Sequence, residues 1–285
     1  MTVFLNGEFV PEEKAMVSVF DRCFLLGDGL FETVRIHRGK PFRWPQHLKR
    51  LQAGADFLKV RMPFAPEAIE GFLFELIQRN QMSESVLRLT LSRGVGPRGY
   101  SSRNARQPVL VMSLHPAPDF DWDNPRRWRL ITSSFRVSAA DPLANFKTCN
   151  KLAQVLARAE AEEAGADEAL LLNTKGELAE AAAGNVFWIE RRVVCTPPLA
   201  CGALAGVTRE LVMKLCLQLD LPILEAPAPR AALVHAEGVF LSLSTFGIVE
   251  ADRLDQHDLN ISPLVERLRR AYRTAVESES GGLGG

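Results

Sequence analysis

Short apolar runs alternate with two helical stretches in the first part of the chain. Residues 1–10 predict a β-hairpin, because two short apolar strands flank an Asn6-Gly7 turn. A second hairpin is predicted over residues 29–42, where an apolar run is followed by a turn around Gly39. In two later stretches, apolar side chains recur at helical spacing and predict helices. Two further apolar stretches predict strands. These elements are the helices 47–57 and 66–78 and the strands 86–92 and 108–114.

Proline and aspartate dominate residues 116–125, and this segment interrupts the periodic pattern. The predicted domains are a smaller N-terminal α+β domain (1–118), a linker (119–126), a larger C-terminal domain (127–276) and a disordered tail (277–285). The C-terminal domain again mixes strands and helices, so the predicted class is α+β with two domains and mixed sheets. Its predicted strands are 128–133, 168–173, 178–181, 186–189, 193–196 and 237–243, and its predicted helices are 151–164, 208–219 and 262–276.

Composition narrows the classes of protein to consider. The chain has 285 residues, 47% of them hydrophobic, which suffices for one large core or two smaller ones. A formal net charge of zero without a basic stripe argues against nucleic acid as a partner. The five cysteines are an odd number without CxxC spacing, which disfavours a disulfide framework or a metal site and favours a reducing, cytoplasmic location. No signal peptide or apolar run of about 18 residues is found, so no membrane span is expected.

Two segments carry the most specific chemistry. Lys147 stands just before a predicted helix, in Asp-Pro-Leu-Ala-Asn-Phe-Lys-Thr-Cys-Asn, and Glu180 follows on a predicted hairpin strand. A pyridoxal-phosphate enzyme needs this pair, because the amine forms a Schiff base with the cofactor aldehyde and the carboxylate keeps the pyridine nitrogen protonated. Taken alone, each also fits a plainer role, as a surface lysine and an exposed strand glutamate.

Two further segments offer anion binding. The start of a predicted helix at Val207 and Thr208, preceded by Gly206, offers unpaired N–H groups and a hydroxyl to a phosphate, although a simple threonine cap fits as well. A glycine-rich loop carries Arg98 and Tyr100, which could clamp a substrate carboxylate. The alternative for that loop is a surface hairpin.

Over about residues 2–275 the chain resembles the fold-type IV pyridoxal-phosphate enzymes, which include branched-chain and D-amino-acid aminotransferases and 4-amino-4-deoxychorismate lyases. The motifs that carry the resemblance stand in order along the chain. They are Gly-Asp-Gly-Leu-Phe-Glu-Thr at 27–33, His-Leu-Lys-Arg-Leu at 47–51, Arg-Gly-Val-Gly-Pro-Arg-Gly-Tyr at 93–100, Lys-Thr-Cys-Asn at 147–150, Glu-Ala-Ala-Ala-Gly-Asn at 180–185, Gly-Val-Thr-Arg at 206–209 and Ser-Leu-Ser-Thr-Phe-Gly-Ile at 242–248. The resemblance implies a barrel-like C-terminal domain that binds pyridoxal 5'-phosphate, and a homodimer with active sites near the subunit interface.

The resemblance also implies individual roles. Lys147 corresponds to the family's Schiff-base lysine and to its acid/base at the substrate carbon, and Glu180 to the partner of the pyridine nitrogen. The remaining positions that correspond to cofactor contacts are Phe31, Arg50, Val207, Thr208, Ser244 and Thr245. Two alternatives remain open: Phe31 is also compatible with a plain core position, and Arg50 with a solvent-exposed position on its helix. Asn150 either braces the lysine segment or caps the helix. The five histidines are scattered along the sequence, without the spacing of a metal site or catalytic triad, and no catalytic role is predicted for them.

The substrate is predicted from departures within the family pattern. Where relatives often have serines after the glutamate, this chain has Ala-Ala-Ala-Gly at 181–184, so cofactor contacts there would come from backbone amides. Gly-Pro-Arg-Gly-Tyr-Ser at 96–101 is similar to the Gly-Gly-Arg-Gly-Tyr-Ser of the lyases, whereas D-amino-acid aminotransferases typically have histidine where Tyr100 stands. The leading hypothesis is a 4-amino-4-deoxychorismate lyase of folate biosynthesis, with a branched-chain or D-amino-acid aminotransferase second and a non-catalytic binder of a phosphate ligand third.

Overall fold

A computed structural model describes residues 1–118 and 121–281, and the chain divides into two compact units. The first unit contains Met1–Pro118, Phe146–Asn150 and, of the C-terminal residues, 278–281. The second contains residues 121–145 and Lys151–Glu277. The α+β class with two domains is confirmed. The sequence prediction had placed 146–150 in the C-terminal domain, but its backbone joins the sheet of the first unit.

The first unit is built on a six-stranded sheet in the order β2-β1-β6-β5-β3-β4. Its strands are β1 (Thr2–Leu5), β2 (Glu8–Pro11), β3 (Gly29–His37), β4 (Lys40–Pro41), β5 (Ser85–Ser92) and β6 (Val109–Pro116), and its helices are α1 (Arg22–Leu26), α2 (Trp44–Leu58) and α3 (Pro66–Asn80). Every neighbouring pair is antiparallel. This sheet is purely antiparallel, because hairpins rather than helical crossovers connect most of its strands.

The core of this unit lies between the sheet and the two long helices. Apolar side chains of β3 and β5 are buried together with those of α2 and α3. Helix α1 was not predicted, since five residues are too few to show helical periodicity. It forms because the Asp21 side chain accepts a hydrogen bond from Cys23 N at its start, and because Gly27 ends it in the left-handed region at φ 66°.

The second unit is built on a nine-stranded sheet in the order β12-β11-β10-β13-β14-β7-β8-β9, with β15 beside β14. Its strands are β7 (Trp128–Val137), β8 (Glu168–Asn173), β9 (Leu178–Ala181), β10 (Asn185–Glu190), β11 (Val193–Thr196), β12 (Ile223–Glu225), β13 (Gly238–Leu243), β14 (Gly247–Leu254) and β15 (His257–Asp258). Strand β7 runs parallel to both neighbours and β12 runs parallel to β11, so this sheet is mixed as predicted. It curls as a half-barrel.

Four helices complete this part of the chain. They are α4 (Leu152–Glu163), α5 (Val207–Gln218), α6 (Ala231–Val234) and α7 (Pro263–Gly281). Because α7 continues to Gly281, the predicted disorder from residue 277 is wrong for 277–281, while 282–285 lie outside the described residues. The Arg273–Glu277 pair, at 2.9 Å and one helical turn apart, supports this extension.

The predicted linker has no regular secondary structure where it is described. Of residues 119–126, the first two lie outside the described residues, and 121–126 belong to the second unit. Among the helices of the described chain, none is long and apolar enough to span a lipid bilayer.

Candidate active site

Strand β3 fixes the position of Lys147. The Lys147 carbonyl accepts a hydrogen bond from Phe31 N at 2.9 Å, and Cys149 N donates to the Gly29 carbonyl at 2.9 Å. Leu30 and Thr148 form an antiparallel bridge between these bonds. The lysine segment therefore pairs with the edge of β3 through a single bridge, and its backbone is held independently of the lysine amine.

The Phe31 ring lies close to two cationic side chains. Lys147 Nζ is 4.5 Å from the ring centroid, and Arg88 Cζ is 3.5 Å from it. Both distances allow cation–π attraction. Burial lowers the pKa of Arg88, although nearby negative groups oppose this. Sequence reasoning missed Arg88, because position 88 reads as one of the polar positions of an alternating strand.

Asn150 braces the lysine segment. Its Nδ2 donates to the Gly27 carbonyl at 3.2 Å, whereas Lys151 occupies the N-cap position of α4. A Cβ at Gly27 would lie 2.2 Å from Asn150 Oδ1. Glycine at this position is therefore required by both its left-handed backbone and this close approach.

A buried charged cluster stands behind this segment. Glu32 is 1% exposed, and its carboxylate accepts from Arg50 Nε at 2.8 Å, from Arg50 Nη2 at 2.6 Å and from His47 Nδ1 at 2.7 Å. Arg50, predicted as a phosphate contact or as a solvated helix residue, thus directs part of its guanidinium to Glu32. The sequence alone predicts no functional role for His47. The signal available was the three-residue spacing of His47 and Arg50, which puts both on one face of α2.

The electrostatics of this cluster favour a charged carboxylate and a neutral imidazole. Burial alone would raise the pKa of Glu32, but the Arg50 charge and the hydrogen bonds from Arg50 and His47 hold it at about 2. Burial lowers the pKa of His47 despite the opposing effect of Glu32, and the positive charges of Arg50 and Lys147 lower it further. Lys147 and the Glu32 cluster are therefore electrostatically linked.

These shifts predict an acid-labile contribution to stability. Because the Glu32 carboxyl has a lower pKa in the folded chain than its ordinary value of 4.5, its contribution is present above pH 4.5 and is lost as pH falls towards 2. The size should be on the order of 3 kcal/mol. We expect Glu32→Gln to remove this pH dependence in urea unfolding between pH 5 and 3. Glu75→Gln, which changes an exposed carboxylate on α3, should leave it in place.

Glu180 lies on β9 and is 8% exposed. Its Oε2 accepts from Leu204 N at 2.9 Å, and Gln154 Nε2 approaches its Oε1 at 3.5 Å. Asn185 Nδ2 donates to the Leu204 carbonyl at 2.9 Å. The peptide backbone at Leu204 thus fixes the side chains of both Glu180 and Asn185.

The start of α5 has backbone donors that no side-chain cap occupies. The N-cap residue Gly206 offers no side-chain hydrogen bond to the first turn, and Thr208 is buried. A Cβ at Gly206 would lie 2.0 Å from Asn185 Oδ1, so a larger residue at this position would require the buried Asn185 side chain to move. The amides of Val207 and Thr208 with the Thr208 hydroxyl are a donor set that suits a phosphate dianion.

The predicted second phosphate loop lies on the same sheet. Ser244 and Thr245 form part of the turn between β13 and β14. Asn185 is paired with Ser242 across β10 and β13, so this turn begins just beyond the residue opposite Asn185. Within the second unit, Glu180, the start of α5 and the turn with Ser244 and Thr245 therefore all lie next to Asn185 or to a residue that it contacts. These residues fit pyridoxal 5'-phosphate in both charge and donor type.

Arg98 and Tyr100 lie in an exposed loop of the first unit. The Arg98 side chain is exposed, and Tyr100 is 90% exposed. Gly99 between them adopts φ 94°, which favours glycine. Their side chains are therefore accessible to a ligand. The backbone of their loop, in contrast, is held by hydrogen bonds from Arg22 to its carbonyls.

Comparison with known proteins identifies the family. The class IV aminotransferase family matches residues 29–254. A Methanocaldococcus jannaschii protein, provisionally named a branched-chain-amino-acid aminotransferase, is 32% identical over 277 residues, which are 96% of each chain. The D-alanine aminotransferase of Bacillus licheniformis is 26% identical over 284 residues, covering 98% of this chain and 99% of that one.

A solved structure extends the likeness to the fold. The crystal structure of 4-amino-4-deoxychorismate lyase from Pseudomonas aeruginosa has a TM-score of 0.84 and 30% identity, over 95% of this chain and 98% of the lyase. The predicted fold type, enzyme class and cofactor are thereby confirmed. The chain belongs to the class IV aminotransferases, a family of pyridoxal-phosphate-dependent lyases and aminotransferases.

Proposed function

We propose that this protein is a 4-amino-4-deoxychorismate lyase, which releases pyruvate and leaves 4-aminobenzoate for folate biosynthesis. The observation that carries the proposal is the loop sequence Gly-Pro-Arg-Gly-Tyr-Ser at 96–101, with tyrosine where D-amino-acid aminotransferases typically have histidine. The 30% identity to the Pseudomonas aeruginosa lyase over 95% of this chain supports it.

Separate residues would bind the separate groups of the cofactor. Lys147 would bind its aldehyde carbon, Glu180 would keep its ring nitrogen protonated, and the start of α5 with Arg50, Ser244 and Thr245 would bind its phosphate. Phe31 would contact it from the side of the lysine segment. When bound, the cofactor supplies an electron sink for the carbon that bears the substrate amine.

The residues of the chain then perform the proton chemistry and the positioning. Lys147 would act as the base that takes the proton from the substrate carbon that bears the amine. Arg88 is a fixed cation near the same Phe31 ring, 3.5 Å from its centroid, and can attract a substrate carboxylate. Arg98 and Tyr100 would add donors from the loop. For the lyase, the aromaticity gained by the product favours the loss of pyruvate.

An aminotransferase is the second candidate. The 32% identity to the Methanocaldococcus jannaschii protein over 96% of both chains favours a branched-chain substrate, and the Bacillus licheniformis relative favours D-alanine. Lys147 and Glu180 serve both reactions equally. The two candidates differ in whether a keto acid is needed as a second substrate.

A panel assay tests the proposal. Purified protein is incubated with 4-amino-4-deoxychorismate alone, and separately with D-alanine or L-leucine plus 2-oxoglutarate. We expect 4-aminobenzoate and pyruvate in equal amounts without any keto acid, and Lys147→Ala protein provides the blank. Turnover of either amino acid at a higher kcat/KM than the chorismate derivative would replace the lyase by the aminotransferase.

The loop residue Arg98 is expected to act on substrates with a carboxylate. Arg98→Ala should raise KM for such a substrate about tenfold, corresponding to roughly 1.4 kcal/mol, because an exposed clamp contributes less than a buried one. Steady-state kinetics with a carboxylate substrate and with an amine lacking a carboxylate provide the measurement. If both substrates are affected equally, Arg98 does not bind the carboxylate.

A homodimer is proposed on the basis of the apolar surface around α1. Large apolar side chains cluster along this stretch and are strongly exposed in the single chain, Met16 by 76%, Phe20 by 65% and Phe24 by 69%. Exposed apolar surface of this kind typically marks an interface, and a twofold dimer is the commonest closed assembly.

We further propose a cytoplasmic location, since all five cysteines are free thiols.

Phe24→Asp should dissociate the dimer, because it places a charge in the proposed apolar interface. We expect the dimer Kd to rise by at least about 30-fold, equivalent to roughly 2 kcal/mol. Light scattering over a dilution series measures it. Phe74→Asp is the matched control, since Phe74 is a 44% exposed phenylalanine on α3. A variant at Phe24 that stays dimeric at every dilution would remove α1 from the interface.

A further inference from the structure

Arg22 donates hydrogen bonds to the backbone of the loop that carries Arg98 and Tyr100. Its side chain is buried, with 4% of the residue exposed. Nη1 donates to the carbonyls of Gly99 at 3.0 Å and Ser101 at 3.1 Å, and Nη2 donates to the carbonyl of Tyr100 at 3.1 Å. Three consecutive carbonyls thus converge on one guanidinium, which requires the backbone to curl around it.

The orientation of Arg22 is itself fixed. Its Nε donates to Asp28 Oδ2 at 2.8 Å, and the same oxygen accepts from Arg93 Nε at 2.7 Å. Arg93 Nη2 in turn donates to the Leu58 carbonyl at 2.8 Å, at the end of α2. Burial would raise the pKa of Asp28, but the hydrogen bonds from Arg93 and Arg22 lower it, so the anchor carboxylate is charged.

Arg22 also contacts the first half of the loop. Its backbone N donates to the Gly94 carbonyl at 3.0 Å. A Cβ on Gly96 would lie 2.8 Å from Arg22 Cδ, so the stem of the arginine lies against this glycine. Residues 94–101 therefore wrap around a single side chain, which leaves the side chains of Arg98 and Tyr100 exposed.

We propose that Arg22 is a positioning residue that sets substrate specificity through the conformation of residues 94–101. This inference rests on the proposed role of Arg98 and Tyr100 as the clamp for a substrate carboxylate. A glycine-rich loop has many accessible backbone conformations. It can place Arg98 and Tyr100 at defined positions only if other contacts restrict these conformations. The planar fork of a guanidinium can bind three carbonyls and a carboxylate at once, whereas a lysine ammonium has only three donors on one atom.

Limited proteolysis and kinetics of Arg22→Lys test the inference. Trypsin cleaves after Arg98, so its rate there reports how often the loop opens. We expect cleavage between Arg98 and Gly99 to be about tenfold faster in Arg22→Lys. KM for the carboxylate substrate should rise about tenfold with kcat changed less than about twofold. Arg103→Lys is the matched control, since it makes the same change at an exposed position of the same loop and keeps its trypsin site.

Asp28→Asn provides a second variant, which should show smaller changes in the same direction, because the neutral amide still accepts from Arg22. Thermal unfolding verifies that each variant is folded. Wild-type cleavage rates in both folded variants would overturn the inference, and so would faster cleavage without any change in KM. A KM change without faster cleavage would also overturn it. If Arg98→Ala leaves kinetics unchanged while Arg22→Lys is cleaved faster, the proposed clamp fails but the anchoring of the loop stands.

Discussion

Lys147→Ala should reduce turnover of every substrate by at least about ten-thousandfold, because the proposed mechanism uses this amine both to bind the cofactor and to move the substrate proton. The fold should be unaffected. The segment is held by backbone hydrogen bonds of Phe31 with Lys147 and of Cys149 with Gly29, and none of them uses Nζ. Circular dichroism and thermal unfolding should therefore match those of the wild type.

The lysine can be identified directly. Borohydride reduction of the cofactor-bound protein, followed by peptide mass mapping, should label Lys147 in the wild type and nothing in the variant. Lys151→Ala is the matched control, because Lys151 lies four residues later, at the start of α4. It should retain both activity and the label. Label on any lysine other than Lys147 would refute the assignment.

Local signals allowed much of the fold to be predicted. The Asn6-Gly7 turn has φ values of 49° and 110° in the structure, as a tight hairpin turn requires. The predicted helix 66–78 is observed as Pro66–Asn80, since a proline in the first turn and an apolar face both mark it. These features depend on neighbours in sequence, so a single chain is enough to find them.

Features that depend on distant contacts were not predictable in this way. The segment 146–150 joins the first unit through hydrogen bonds to residues more than a hundred positions earlier, which periodicity cannot reveal. The cluster of Glu32, His47 and Arg50 likewise joins a strand to a helix. Motif resemblance pointed to Arg50 but gave no sign that Glu32 would bind it. Arg22 was missed for the same reason, since its partners lie 77 to 79 residues away.

The resemblance assigns roles to side chains whose chemistry is specific. Lys147 and Glu180 were proposed from short motifs, and each lies in a setting that restricts its position. Lys147 is beside Phe31 and the Glu32 cluster, and Glu180 is bound to the backbone at Leu204. Substrate choice is harder to infer from the sequence, because in the proposed function it rests on an exposed loop whose carbonyls accept hydrogen bonds from Arg22, a residue outside the loop motif.

The second large effect is expected for Glu180→Gln. Glutamine can still accept the hydrogen bond from Leu204 N, so the strand and the turn it supports should keep their structure. It has no negative charge, however, and cannot hold a proton on the ring nitrogen of the cofactor. We expect kcat to fall by about a hundredfold to a thousandfold, equivalent to roughly 3 to 4 kcal/mol.

Cofactor affinity separates this chemical role from a structural one. The proposed phosphate site at the start of α5 does not use the Glu180 charge, so the cofactor Kd of Glu180→Gln should rise less than about tenfold. Glu177→Gln is the matched control. Glu177 lies three residues earlier and accepts a hydrogen bond from Asn173 Nδ2 at 2.8 Å, a contact that a glutamine can keep. A wild-type kcat in Glu180→Gln would exclude Glu180 as the ring-nitrogen partner. A Kd that rises as much as kcat falls would mean that its charge serves to retain the cofactor rather than to activate it.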